Sequence, residues 1–80
     1  MVQRCSVQLV LNMLHAKVGV PLNTPNSETA SWEELGVESL GLTEVCTGLE
    51  HTFGIEIPHE EALSRKNVRE LVAFVNSITA

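Results

Sequence analysis

The chain lacks several features that define whole classes of protein. It contains no aspartate, so all ten acidic residues are glutamates, and only five basic residues oppose them, leaving a net charge of -5. This balance disfavours nucleic-acid binding and favours partners with a basic docking surface. No apolar run approaches the roughly 20 residues of a membrane span. The N-terminal residues do not have the layout of a secretory signal, and we therefore expect a cytoplasmic protein.

Cysteine is also scarce. Cys5 and Cys46 form neither a CxxC pair nor a metal-ligand spacing, so both are expected to stay reduced in the cytosol. We expect Cys46 to pack as a small apolar residue and Cys5 to be exposed near the terminus. Eighty residues suffice for one domain, 1–80, with one core and little room for an enclosed active site. A monomer is the default expectation.

The spacing of apolar residues predicts an all-α protein. Segments 7–18, 42–53 and 68–78 repeat apolar residues at i, i+3, i+4 and i+7, the pattern of an amphipathic helix. Glycines at positions 19 and 54 are suited to end the first two helices. Asn67 is suited to cap the last helix, with Glu70 reaching back as in a capping box.

The remaining segments predict connections and one short helix. Residues 20–38 show no sustained period, and Leu22, Trp32, Leu35 and Val37 are expected to attach this long loop to the core. Residues 55–57 have no strand to pair with and are predicted to be a packed connector. Residues 59–63 are predicted to form a short helical turn. The predicted fold is a small antiparallel four-helix bundle, three main helices plus one short helix, with a long loop between helices 1 and 2.

One serine and one leucine stand outside the apolar pattern of the second main helix. Ser39 begins this helix, and Leu40 falls opposite its apolar stripe. A serine in this position is most often a helix cap, although Glu38 could accept the same hydrogen bonds. A lone exposed leucine is common and needs no special explanation. Both ordinary interpretations remain open on these residues alone.

The sequence around Ser39 resembles a known family. Residues 35–40, LGVESL, resemble the phosphopantetheine-attachment motif Leu-Gly-x-Asp-Ser-Leu of acyl and peptidyl carrier proteins. The similarity continues without a gap through Phe-Gly at 53–54 and Ile-Pro at 57–58 to about residue 78. The fold of that family, a four-helix bundle, agrees with the prediction above.

The resemblance implies a cofactor and partners. Ser39 matches the serine that accepts 4′-phosphopantetheine from a phosphopantetheinyl transferase. An acyl- or aminoacyl-loading enzyme and a downstream synthase or transferase would then use the loaded carrier. Leu40 matches the apolar residue that partner enzymes contact, and Glu44 and Glu50 match docking carboxylates. The residues expected to dock partners are Glu38, Leu40, Glu44, Thr47, Glu50 and His51.

Three departures from the family pattern refine this expectation. Glu38 replaces the usual aspartate, Gly41 stands where many fatty-acid carriers have an acid, and His51 interrupts what is often an acidic run. The docking face is therefore expected to be less negative than in a fatty-acid carrier. We interpret the chain as a carrier of a specialised polyketide or nonribosomal-peptide pathway, with a primary fatty-acid carrier as the alternative.

Other function classes have weaker support. A hydrolase would need a base close to Ser39, but His51 lies about three helical turns away and no GxSxG motif is present. A metal site built from His51, His59 and Glu60 or Glu61 lacks an HExxH motif or a Cys/His cluster. An interaction module that keeps the carrier fold but is never modified remains open. We expect neither an enzyme nor a metal site.

Overall fold

The computed structural model describes residues 4–79, and every regular element in this range is a helix. The all-α prediction is therefore confirmed. No helix of residues 4–79 is long and apolar enough to cross a membrane. The five helices in chain order are α1 (Val7–Val18), α2 (Trp32–Leu35), α3 (Ser39–Phe53), α4 (His59–Leu63) and α5 (Val68–Thr79).

Helix α2 lies within the segment that the sequence analysis assigned to a loop. It begins with a capping box in which the Ser31 hydroxyl accepts from the Glu34 N–H at 3.1 Å. The Glu34 carboxylate in turn accepts from the Ser31 N–H at 2.9 Å. The hydrogen bond from the Ser31 backbone N–H, followed by one from the Ser31 side chain, holds the pKa of the Glu34 carboxyl below its usual value. The Ser-x-x-Glu spacing is a known helix-start signature, so this helix was detectable from the sequence.

The predicted helix ends are confirmed with one change. Gly19 and Gly54 both adopt left-handed backbone conformations, with φ of 85° and 64°, which glycine tolerates without a Cβ clash. Asn67 Oδ1 accepts from the Glu70 N–H at 2.9 Å, as a cap should. The Glu70 carboxylate, however, accepts from the Lys66 N–H at 3.1 Å instead of from Asn67. In a capping box this carboxylate would accept from the cap residue itself; here it accepts from the residue before the cap.

One hydrophobic core joins the three main helices. Helix α1 packs against α3 and α5, and α3 packs against α4. Helices α1 and α3 run antiparallel, because Val18 near the end of α1 lies beside Gly41 at the start of α3. The largest fully buried side chains are Leu14, Leu49, Leu71, Val10, Val45, Val68, Val75 and Cys46.

Cys5 belongs to this core as well, so the expectation of an exposed Cys5 was wrong. Only 4% of the residue is exposed. Its N–H donates to Asn76 Oδ1 at 2.8 Å, and its carbonyl accepts from Asn76 Nδ2 at 3.0 Å. The amide of Asn76 therefore fastens the segment before α1 to α5. Because the two residues lie 71 positions apart, no local sequence pattern could have predicted this contact.

The long segment between α1 and α3 is fastened to the connection between α4 and α5. The Trp32 Nε1–H donates to the Arg65 carbonyl at 2.7 Å. Glu28 accepts from the Arg69 backbone N–H through its carbonyl and from the Arg69 guanidinium through its carboxylate, both at 3.0 Å. Leu22 is 54% exposed, so it does not attach the loop to the core as expected. Val37, by contrast, is buried.

Candidate functional site

Ser39 is the first residue of α3, and its side chain is exposed. The first backbone bond into this helix runs from the Leu42 N–H to the Glu38 carbonyl at 3.0 Å. The N–H groups of residues 39–41 consequently have no acceptor within the helix. Glu38 occupies the cap position but makes no hydrogen bond to α3 through its side chain. The helix N-terminus beside the Ser39 hydroxyl is therefore open to an acceptor from outside.

Two neighbouring residues set the position of Ser39. Gly36 ends α2 in a left-handed conformation with φ of 74°, and the Val37 N–H donates to the Trp32 carbonyl at 2.8 Å. The Val37 side chain is buried in the core. Trp32, whose carbonyl accepts this bond, also donates its indole N–H to the Arg65 carbonyl. The turn before Ser39 is therefore bonded to a residue that is itself fastened to the rest of the fold. The serine is thus presented on a fixed turn of backbone.

An exposed stripe follows Ser39 along α3. Its members are spaced i, i+4, i+7 and i+11, which places them on one side of a helix. Leu40 is 72% exposed, one of only two large hydrophobic residues in the described range with such exposure. The opposite side of α3 is buried through Leu42, Val45, Cys46 and Leu49. The stripe consists of Leu40, Glu44, Thr47 and His51, and we call it the α3 face.

Glu50 differs from the other predicted docking residues. One of its carboxylate oxygens accepts from the Ile57 N–H at 2.9 Å, and the other lies 3.0 Å from His59 Nε2. These contacts tie α3 to the connector before α4 and to the first residue of α4. The hydrogen bond from Ile57, followed by that from His59, holds the pKa of Glu50 below its usual value. Glu50 therefore serves the fold, and a docking role remains a prediction.

Two glycines on one flank of the α3 face are turned towards α1. A Cβ built on Gly41 would lie 3.1 Å from Val18 Cγ2. Gly41 thus faces α1, and an acid in its place would meet a packed valine before it reached a partner. A Cβ built on Gly48 would lie 2.9 Å from Lys17 Cε. The sequence analysis assigned no role to Lys17, since only the pairing of α1 with α3 brings it to this helix.

The histidines and cysteines form no reactive centre within residues 4–79. No group of three or more histidine, cysteine or glutamate side chains there is arranged to hold a metal ion. Burial raises the pKa of both Cys5 and Cys46 to about 11, and the charge of Glu50 adds to the effect at Cys46. Both thiols therefore stay protonated near neutral pH. His51, which is exposed, lies on the α3 face far from Ser39.

Ser39 fits the attachment of a phosphate-bearing arm. Its hydroxyl is exposed, and the adjoining N–H groups favour a phosphate by about 0.3–1 kcal/mol.

Comparison with known proteins identifies the family. The family described as "Phosphopantetheine attachment site" matches residues 8–75. The chain belongs to this family. Its cofactor is 4′-phosphopantetheine, carried on a serine, and the protein is a carrier that separate enzymes modify and load. When bound, this group supplies a terminal thiol that holds an acyl group as a thioester.

Two solved structures share the fold. A 3,5-dioxohexyl acyl carrier protein, a triketide mimic, from the actinorhodin polyketide synthase of Streptomyces coelicolor matches with a TM-score of 0.84 and 23% identity. The actinorhodin holo acyl carrier protein from S. coelicolor matches with a TM-score of 0.81 and 24% identity. Each match covers 99% of this chain and 95% of the other. The predicted fold class is therefore confirmed over nearly the whole chain.

Proposed function

We propose that Ser39 carries the phosphopantetheine arm and that the protein shuttles acyl intermediates of polyketide synthesis. The observation that carries the first part is the exposed Ser39 hydroxyl at an open helix N-terminus. The second part is supported by the likeness to two carriers from a polyketide synthase. A polyketide carrier also agrees with an α3 face whose only acidic residue is Glu44.

Comparison of the serines supports Ser39 over the alternatives. The family match contains four serines, at positions 27, 31, 39 and 64. Ser31 Oγ is engaged in capping α2, and Ser64 Oγ donates to the Glu61 carbonyl at 2.6 Å. Ser27 is half-buried in a turn. Ser39 is the serine whose hydroxyl is both exposed and without a hydrogen-bond partner among residues 4–79.

This chain contributes to loading by presenting the Ser39 hydroxyl to the enzyme that modifies it. A phosphopantetheinyl transferase supplies the base, the magnesium ion and coenzyme A, while this chain positions the Ser39 hydroxyl on the turn held by Val37. The exposed Leu40 offers an apolar contact beside the hydroxyl, and Glu38 and Glu44 offer negative charge. The same surface would then meet the loading enzyme and the downstream synthase.

The remaining features complete the proposal. We place the carrier in the cytoplasm as a monomer with one domain, 1–80. The two cysteines support a reducing compartment, since both are free thiols. The single core cluster supports one domain.

Intact-protein mass tests the assignment of Ser39. The native chain is incubated with coenzyme A, magnesium and a promiscuous phosphopantetheinyl transferase, beside Ser39→Ala and, as a matched control, Ser27→Ala. We expect a single phosphopantetheine addition on the native chain and on Ser27→Ala, and none on Ser39→Ala. Addition to Ser39→Ala would place the arm elsewhere. No addition to any folded variant would favour an unmodified interaction module.

A further inference from the structure

Lys17 lies across the edge of the α3 face. Its Cε would be 2.9 Å, and its Nζ 3.6 Å, from a Cβ built on Gly48. The stem of Lys17 therefore occupies the space that a side chain at position 48 would fill. Lysine commonly packs its methylene stem on a neighbouring surface and keeps the ammonium in water. Lys17 is exposed, which agrees with this arrangement.

The position of Gly48 places the ammonium beside the docking residues. Gly48 follows Thr47 directly, lies four residues after Glu44 and three before His51. Residues three and four apart are neighbours on a helix surface. A positive charge contributed by α1 thus borders the C-terminal half of the α3 face, while Glu44 makes its N-terminal half negative.

This ammonium has no internal counter-charge. Within residues 4–79, Arg69 forms an ion pair with Glu28 and the His59 ring contacts the Glu50 carboxylate, and neither contact involves Lys17. Glu50, which lies near in sequence, is turned away towards Ile57 and His59. The charge of Lys17 is consequently available to a docking partner.

We propose that Lys17 is a specificity-determining residue of the α3 face, which fits an enzyme surface of mixed sign. Such a partner presents a basic group to Glu44 and an acidic group to Lys17. A partner whose docking surface is uniformly basic would face the Lys17 ammonium with a like charge, which slows association and lowers specificity. This inference rests on the proposed carrier function and names the partner chemistry of the same surface.

Charge reversal at the two lysines tests the proposal. Lys17→Glu and Lys66→Glu change the net charge equally, but Lys66 lies on the connection between α4 and α5. The probe is a phosphopantetheinyl transferase with a uniformly basic docking surface, and the readout is kcat/KM for loading at low salt. We expect Lys17→Glu to raise kcat/KM by about 3- to 10-fold and Lys66→Glu by less than about 2-fold. The kcat/KM for loading of Lys17→Gln should lie between the values for the native chain and for Lys17→Glu.

A second arm reverses the sign on the enzyme. In a transferase variant, the docking-surface arginine nearest Lys17 is changed to glutamate. This variant should load the native carrier faster than it loads the Lys17→Glu carrier. Equal effects of Lys17→Glu and Lys66→Glu, or no change with either in folded carriers, would overturn the role of Lys17 while leaving Ser39 loading intact. Failure of the native chain to be modified even after prolonged incubation would instead contradict the proposed function.

Discussion

At the scale of single residues, two glutamates on the same helix have different surroundings. Glu44 is exposed on the α3 face and forms no ion pair within residues 4–79. Glu50 accepts hydrogen bonds from the Ile57 N–H and from His59. The two residues have the same chemistry and lie on the same helix. Their directions around the helix axis therefore decide whether a carboxylate is bound within the fold or left exposed.

Replacement of Glu50 should weaken the fold, whereas replacement of Glu44 should not. Glu50→Ala leaves the Ile57 N–H without its acceptor, so we expect a lower melting temperature than for the native chain. Glu44→Ala should melt within error of the native chain. Thermal unfolding followed by circular dichroism measures both. Equal melting temperatures for the two variants would contradict the structural role of Glu50.

The pH dependence of stability follows from the same contacts. Because the folded state lowers the pKa of Glu50, its stabilising contribution is present above the usual carboxyl range and is lost as the pH falls through the lowered pKa. We expect Glu50→Ala to lose less stability than the native chain on acidification. A parallel loss in both proteins would assign the acid sensitivity to other groups.

Both cysteine thiols should be unreactive in the folded protein, before and after the arm is attached. Burial raises the pKa of Cys5 and Cys46 from 9.0 to about 11, and the thiolate is the nucleophilic form. A thiol reagent at pH 8 should label neither in the folded apo protein, both in denaturant, and only the arm's thiol after loading. Rapid labelling of the native apo chain would contradict the burial of these residues.

The same raised pKa values predict how the stability of the fold changes at alkaline pH. Above pH 9 the unfolded chain releases thiol protons that the folded chain retains. The folded state then binds more protons, so stability falls as the pH rises from about 9 towards 11. Cys46→Ala should show a shallower alkaline decline, measured by urea unfolding across this range.

At the scale of elements, the packing of α1 against α3 depends on two glycines in different surroundings. A Cβ at position 41 would meet both γ carbons of Val18, at 3.1 and 3.4 Å. A Cβ at position 48 would meet the far end of Lys17 and the sulfur of Met13. Valine is stiff about χ1, whereas lysine and methionine side chains adjust readily. The two glycines should therefore respond differently to the same substitution.

We expect Gly48→Ala to stabilise the protein and Gly41→Ala to fail to do so. Alanine gains about 1 kcal/mol over glycine in a helix interior. At position 48 the flexible neighbours yield, so the free energy of unfolding should rise by about 0.5–1 kcal/mol. At position 41 overpacking against Val18 costs about 1–3 kcal/mol and cancels or outweighs the gain. Urea denaturation measures both, and a larger gain for Gly41→Ala would contradict the described packing.

At the scale of the whole molecule, the effect of the net charge of -5 on a partner depends on where the charges lie. Glu38 and Glu44 are close to Ser39, whereas Arg65, Lys66 and Arg69 cluster where α4 leads into α5. At physiological salt the screening length is about 8 Å, so a partner responds chiefly to the charges nearest its own surface. The exposed carboxylates beside Ser39 are therefore the charges that a partner at the start of α3 meets first, and they suit a basic surface.

Reversal of charge at Glu44 should slow loading without affecting the fold. Glu44→Lys is compared with Glu56→Lys, which changes the net charge equally from the exposed connector between α3 and α4. We expect loading of Ser39 in Glu44→Lys to slow by about 3- to 10-fold at low salt, with the difference shrinking near 1 M salt. Unchanged kinetics for Glu44→Lys, or equal slowing in the control, would remove Glu44 from the docking surface.

The sequence by itself determined the main helices, their caps and the candidate serine, because these depend on contacts between near neighbours. Apolar spacing identified the buried stripes, Gly19, Gly54 and Asn67 marked helix ends, and the LGVESL segment pointed to Ser39. Helix α2 was equally local, since its capping box lies within four residues, but the absence of a longer period concealed it.

Only the tertiary structure decided which side chains are bound within the fold and which are left exposed. The burial of Cys5 depends on Asn76, the task of Glu50 on His59, and the place of Lys17 on Gly48 in another helix. Leu22 is exposed, and the segment that contains it is fastened instead through Trp32 and Arg65. Each outcome depends on how separate helices dock, and the order of residues along one helix does not specify the partner it meets.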